Sequence, residues 1–145
     1  MDLITINNCA LRDARRSCIR MAREKADKMV AVIDDDESYR TAIQRLLQSA
    51  GISAQLFGSA EVFLNSGLQY DIGCLIADIR MPGMSGLELQ AKLNSDHCAI
   101  PTIFITAHGD ERMRLQAMRG GAVKFLMKPF DGETLLDAVQ LALKH

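Results

Sequence analysis

The sequence carries almost no net charge: 17 Lys and Arg against 18 Asp and Glu leave a formal −1 over 145 residues. A balance so close to zero sets up no global field of either sign, and argues for neither a nucleic-acid backbone nor a membrane surface as partner. No apolar run approaches the roughly 18–20 residues that a membrane span requires. The amino terminus is charged but lacks the apolar block of a secretory signal. The four cysteines, Cys9, Cys18, Cys74 and Cys98, have neither metal-ligand nor redox spacing, and they read as reduced thiols of a cytoplasmic protein. Repeats and low-complexity tracts are absent.

What remains is the composition of one soluble globular domain, 48% hydrophobic and 24% charged, long enough to bury a sizeable core. Its charges are unevenly spread. Residues 1–28 hold seven Lys and Arg against four Asp and Glu, whereas residues 29–145 hold ten against fourteen. The first 28 residues read as an N-terminal extension, poorly ordered or helical. Leu11, Ala14, Cys18 and Met21 share a face, which leaves a short helix open. Met29, at the start of the first strand-like run, stands as an alternative natural start.

From residue 29 onward, short β-branched runs alternate with amphipathic stretches. The runs 29–33, 52–57, 72–77, 101–106 and 122–127 are apolar almost throughout, the pattern of parallel strands covered on both faces. Helices are expected over 37–49, 60–66, 86–94, 111–119 and 132–144. Ser59, Ser85, Asp110 and Asp131 precede four of these, and Ser85 with Glu88 makes a capping box. The first helix carries Ala42, Leu46 and Leu47 and stops at Gly51; the last carries Leu135, Leu136, Val139 and Leu143. Five βα units with short connections imply a single right-handed doubly wound α/β sheet.

In such a sheet, ligands gather beyond the carboxyl ends of the strands. The first run ends in "AVIDDDESYR", where Asp34, Asp35, Asp36 and Glu37 follow apolar residues directly. Carboxylates at the mouth of a core are costly unless something neutralises them. Asp36 and Glu37 suit the first turn of a helix. Asp34 and Asp35 face Asp78, which ends the third run in "IADIRMPGMSG"; Thr106 ends the fourth, and Lys128-Pro129 the fifth. Clustered acidic oxygens with no Cys or His among them suit Mg²⁺, which prefers an octahedron of oxygens. A cation there removes the repulsion between carboxylate and phosphoryl group. Asp78 is then the candidate nucleophile, Thr106 and Lys128 contact phosphoryl oxygens, and small Ala107 and Gly109 leave room for them. The turn made by "MPG" can aim the Arg80 carbonyl at the metal. His108 and the Arg80 side chain suit control of water access, and His97 reads as a loop residue.

Through "DIRMPGMSGLEL", "ITAHGD" and "KPF", residues 29–144 resemble the receiver domain of two-component response regulators, in its FixJ-like subgroup. The resemblance implies a flavodoxin-like (CheY-like) fold, with strand order 2-1-3-4-5 and five helices, and a receiver domain over 29–145. It makes Asp78 the phosphoacceptor, with Asp35 binding Mg²⁺ directly, Asp34 acting through water and Arg80 giving its backbone carbonyl. Thr106, Ala107 and Lys128 become the phosphate-binding residues, Thr106 and Phe125 the switch pair, and Lys128–Pro129 a cis peptide. A sensor histidine kinase would supply the phosphoryl group. The face over 110–143, with Arg112, Met113, Arg114, Met118, Arg119 and Lys124, would then control a homodimer or an output, transcriptional by resemblance. Neither nucleic acid nor membrane is expected to touch these residues directly. Such a protein is a phosphoacceptor rather than an enzyme. The competing readings are a phosphorylation-independent interaction module, disfavoured by the intact acidic set, and a Mg²⁺-dependent phosphohydrolase, disfavoured by the lack of a second acid or base.

Overall fold

Alternation along each strand decides to which side of the sheet an apolar residue turns. In the computed structural model, which describes residues 29–144, β1 (Met29–Ile33) sends Val30 and Val32 into one buried layer and Ala31 and Ile33 into another. β3 (Ile72–Ala77) divides Cys74 and Ile76 from Leu75 and Ala77 in the same way. β4 (Thr102–Thr106) divides Ile103 and Ile105 from Phe104. These three strands are therefore covered on both faces. β2 (Ala54–Phe57) and β5 (Lys124–Met127) are less buried and lie at the edges of a five-stranded parallel sheet of order β2-β1-β3-β4-β5. This is the expected doubly wound topology.

One layer is closed by α1 (Glu37–Ser49) and α5 (Gly132–Leu143), through Ile43, Leu47, Leu135 and Val139. The other is closed by α2 (Ala60–Ser66), α3 (Gly86–Ser95) and α4 (Glu111–Arg119), through Phe63, Leu89, Leu93 and Ala117. Side-chain caps start each helix: Asp36, Ser59, Ser85, Asp110 and Asp131 accept backbone amides of the first turn, and Ser85 with Glu88 completes the capping box. Asp36 is thus a cap rather than a first-turn acid. In α1 the buried face is Ile43 and Leu47, whereas Ala42, expected there, is exposed. Among the described residues, no helix is long and apolar enough to cross a membrane. The expectations for residues 1–28, with Cys9 and Cys18, fall outside the described residues.

Three strands begin later than their apolar runs suggest: β4 by one residue, at Thr102, and β2 and β5 by two, because their leading residues are used as helix caps. The Ile52 amide donates to the Leu47 carbonyl at 2.9 Å and completes the end of α1, so β2 starts at Ala54. Likewise the Ala122 amide donates to the Ala117 carbonyl at 3.0 Å at the end of α4, and β5 starts at Lys124.

The packing that most directly fixes the carboxyl end of β3 is the approach of α3. A Cβ added to Gly86 would overlap the Asp78 carbonyl oxygen and stand 3.1 Å from its carbonyl carbon. Gly86→Ala is accordingly expected to cost about 1–3 kcal/mol in urea unfolding, as overpacking against an unyielding neighbour does, and to shift the Asp78 amide resonance. Unchanged stability and an unmoved Asp78 would contradict this packing.

Candidate functional site

The parallel ladder continues one residue past the strands and so sets their carboxyl ends side by side. The Asp34 amide donates to the Phe57 carbonyl at 3.2 Å, the Asp78 amide to Ile33 at 3.0 Å, and the Lys128 amide to Thr106 at 2.8 Å. Side chains from β1, β3 and β5 thereby meet at one edge. Asp34, Asp35 and Asp78 each offer a carboxylate oxygen, and these oxygens lie within 4.8 Å of one another. Asp34 and Asp78 are buried, and Asp35 is exposed. Lys128 Nζ stands 2.8 Å from both Asp34 Oδ2 and Asp78 Oδ2, with its side chain only 6% exposed. The other oxygens are also engaged: Asp34 Oδ1 accepts the Asp36 amide at 2.9 Å, and Asp78 Oδ1 the Arg80 amide at 3.1 Å.

One ammonium therefore faces three carboxylates, two of them buried, which leaves a surplus of negative charge. The donors are all hard oxygens, one is open to solvent, and neither thiol nor imidazole belongs to the group. That set fits a hard divalent cation such as Mg²⁺, which retains waters beside a few carboxylates. The electrostatics agree. Burial pushes the Asp34 carboxyl above its ordinary value of 3.8, against the hydrogen bond from Lys128 that lowers it. Burial pulls the Lys128 ammonium down, but its hydrogen bonds and charge contacts with Asp34 and Asp78 outweigh that pull and raise it above 10.5.

The other residues singled out from the sequence are spread over the fold, with Thr106 at the carboxyl end of β4 and His97 before its start. Thr106, wholly buried, ends β4, with its Oγ1 3.5 Å from the His108 amide. Ala107 and His108 are exposed beyond it. The Lys128–Pro129 peptide is cis. Arg80 is exposed and meets Asp78 through its amide. Phe125 is partly buried and packs onto the layer beneath α2, α3 and α4. A Cβ on Gly109 would lie 2.7 Å from Phe125 Cζ and 2.8 Å from Thr106 Cγ2, so the space this glycine leaves is taken up by the Phe125 ring and the Thr106 methyl. His97 lies in a loop with φ 56. Met113 is half-buried against the core and does not belong to an open α4 face. Buried Cys74 has its thiol pushed up to about 12 by burial, as an inert core thiol should.

Three contributors were not visible in the sequence. Arg40 Nη1 donates to the Asp34 carbonyl at 2.7 Å, and the Tyr39 ring lies over Lys128 Nζ. Glu61 accepts the Met84 amide at 2.9 Å and so braces the turn that follows Asp78. Tyr39 and Arg40 lie within "AVIDDDESYR", where their neighbours are a signal, but Glu61 is 23 residues from its partner and carries none.

The sequence matches the response regulator receiver domain family over residues 30–140. It is 43% identical over 129 residues to the response regulator protein TodT of Pseudomonas putida, covering 88% of this chain and 57% of that protein. It is also 43% identical over 114 residues to the transcriptional regulatory protein FixJ of Azorhizobium caulinodans, covering 79% of this chain and 54% of that one. Among solved structures, that of the response regulator StyR superposes with a TM-score of 0.77 at 47% identity, over 82% of this chain and 60% of that chain. The chain thus spans a little over half the length of the curated relatives it matches.

The raised Asp34 carboxyl has a consequence for stability. The folded chain holds this proton to higher pH than the unfolded chain does, so stability falls as pH rises from 3.8 through the folded value. Asp34→Asn removes the buried charge and keeps an acceptor for the Asp36 amide. In metal-free buffer its urea midpoint is expected to exceed that of the parent at pH 7, with the gain shrinking as pH approaches 3.8. A variant less stable at pH 7 would contradict the assignment of burial as the dominant effect.

Proposed function

The chain belongs to the response regulator receiver domain family, and from that premise we propose that Asp78 accepts a phosphoryl group from a sensor histidine kinase in a Mg²⁺-dependent reaction. The observation that carries this reading is the lysine clamp, with Lys128 Nζ 2.8 Å from both Asp34 and Asp78 beside a third carboxylate. A carboxylate is a poor nucleophile toward an anionic phosphoryl group because like charges repel. The Lys128 ammonium already stands against Asp78, where it can meet the charge of the transferring oxygens. Asp34, Asp35 and Asp78, together with the Arg80 carbonyl, would hold Mg²⁺, which when bound draws charge from the phosphoryl oxygens and leaves Asp78 free to attack. An Asp78 oxygen forms the new O–P bond as the donor's bond to phosphorus breaks, and the bonding pair leaves with the donor.

Thr106, Ala107 and Lys128 bind the phosphoryl oxygens in this reading. The output follows from Thr106. Drawn toward the phosphoryl group, its side chain vacates space beside Phe125, and the ring turns inward. Only a pre-existing equilibrium of a few kcal/mol need shift. The affected surface runs over α4, β5 and α5, where Leu115, Met118, Met127 and Leu141 are exposed large apolar side chains. Such a face suits a homodimer mate. Since FixJ is a transcriptional regulatory protein by name, control of transcription is the output proposed, in a cytoplasmic setting.

Incubation with acetyl phosphate and Mg²⁺, followed by intact-mass spectrometry, is expected to add one phosphoryl group per chain. Chelation or Asp78→Asn should abolish it, and Lys128→Met should slow it about 100-fold, as loss of an oxyanion-stabilising donor does. Undiminished labelling of the Asp78→Asn chain would refute the assignment. Rapid, continuous release of phosphate would indicate a hydrolase instead.

A further inference from the structure

Two sides of the Lys128 ammonium are taken by Asp34 and Asp78, and a third is covered by an aromatic ring. The Tyr39 centroid lies 4.0 Å from Nζ. Tyr39 is the third residue of α1 and is half-buried, and its ring packs on Phe130 with centroids 6.3 Å apart and planes at 44°. Phe130 follows Lys128 by two residues. The lysine is thus gripped both by the strand-end carboxylates and by a ring from α1, which is braced in turn by the start of the β5–α5 connection.

We propose that Tyr39 is a positioning residue for Lys128, whose ring face keeps the ammonium aimed at the Asp34–Asp78 edge and shields its outer side from water. This rests on the reading that Lys128 receives a phosphoryl oxygen at Asp78. Lysine is a compact charge on a flexible four-carbon stem and loses much rotamer freedom when fixed. Two carboxylates alone fix its direction but also compete for its hydrogens. A third anion would compete with the incoming phosphoryl group as well. The face of a tyrosine ring attracts the cation through its quadrupole without claiming a directed hydrogen bond, so the third ammonium hydrogen is committed to no acceptor and can turn from the ring to an incoming oxygen. Bulk alone does not supply this attraction. A leucine of similar girth would cover the lysine stem but present no negative face.

The test uses the full chain with Tyr39→Phe, which keeps the face, and Tyr39→Leu, which keeps apolar bulk. In metal-free protein, the Lys128 Hε protons are expected to be shifted upfield by the ring in the parent and in Tyr39→Phe, and to return to ordinary lysine positions in Tyr39→Leu. With Mg²⁺ and acetyl phosphate, Tyr39→Phe should label within about twofold of the parent. Tyr39→Leu should label about three- to tenfold more slowly, within the range of a cation–π contact. In a Lys128→Met background the same Tyr39→Leu change should have no further effect, since the two residues act as one unit. A parent without the upfield shift, a Tyr39→Leu chain as fast as the parent, or a loss that persists without Lys128 would each overturn the proposal. A parent that shows the ring shift yet takes no phosphoryl group would overturn the reading of function beneath it, a different failure from that of Tyr39 alone.

Discussion

The bridge from Lys128 to two buried carboxylates is the interaction on which the carboxyl edge of this sheet depends. Asp34 and Asp78 lie side by side with almost no access to water, and without an intervening cation their repulsion would be felt in a medium that screens poorly. Lys128 Nζ, 2.8 Å from each, removes most of it. Among the described residues no ion pair reaches the third acid, Asp35, which is open to solvent. One lysine does not neutralise even the buried pair, which keeps a formal charge of −1, and Asp35 brings the cluster to −2. A triad holding a single lysine is a site with charge to spare, ready to take up a divalent ion.

That arrangement follows from the sheet rather than from local turns. Parallel strands point all their carboxyl ends the same way, and backbone bonds beyond β1, β3 and β5 hold Asp34, Asp78 and Lys128 in register. The surroundings are correspondingly tight. Gly86 lets the start of α3 lie against the Asp78 carbonyl, and Gly109 lets its loop cross Phe125 and the Thr106 methyl. The Thr106 methyl and the Phe125 ring therefore meet at one short stretch of chain, the end of β4 and the loop after it. The site is held at some expense to the fold, as the upward displacement of the Asp34 carboxyl by burial indicates, a pattern common where function requires a strained local choice.

The parts of this arrangement legible in the sequence are those that depend on one strand at a time. β1 and β3 are read to the residue because nearly every position in their runs packs on one face or the other. Asp34, Asp35, Asp78, Thr106 and Lys128 are legible as neighbours at one edge because each stands at or within two residues of the end of a recognisable strand, and topology does the rest. At the two edges the apolar runs start before the strands do, since Ile52 and Ala122 are apolar like strand residues but spend their amides on helix ends. Ala42 reads as part of the apolar face yet is exposed, because small residues mark a helix face poorly. Arg40, Glu61 and Tyr39 escaped for a different reason. Their partners are a backbone carbonyl, a distant amide and the face of an ammonium, none of which leaves a period or a spacing in the chain.

The claim at the centre is that Asp34, Asp35 and Asp78 together take up one divalent ion while Lys128 stays in place. A titration of the metal-free chain with Mg²⁺, followed through its backbone amide resonances, tests it most directly. Saturable shifts from a single site, largest at Asp35, Asp36, Ile79 and Arg80, are the expected result. Weak, non-saturating shifts scattered over the acidic surface would contradict it.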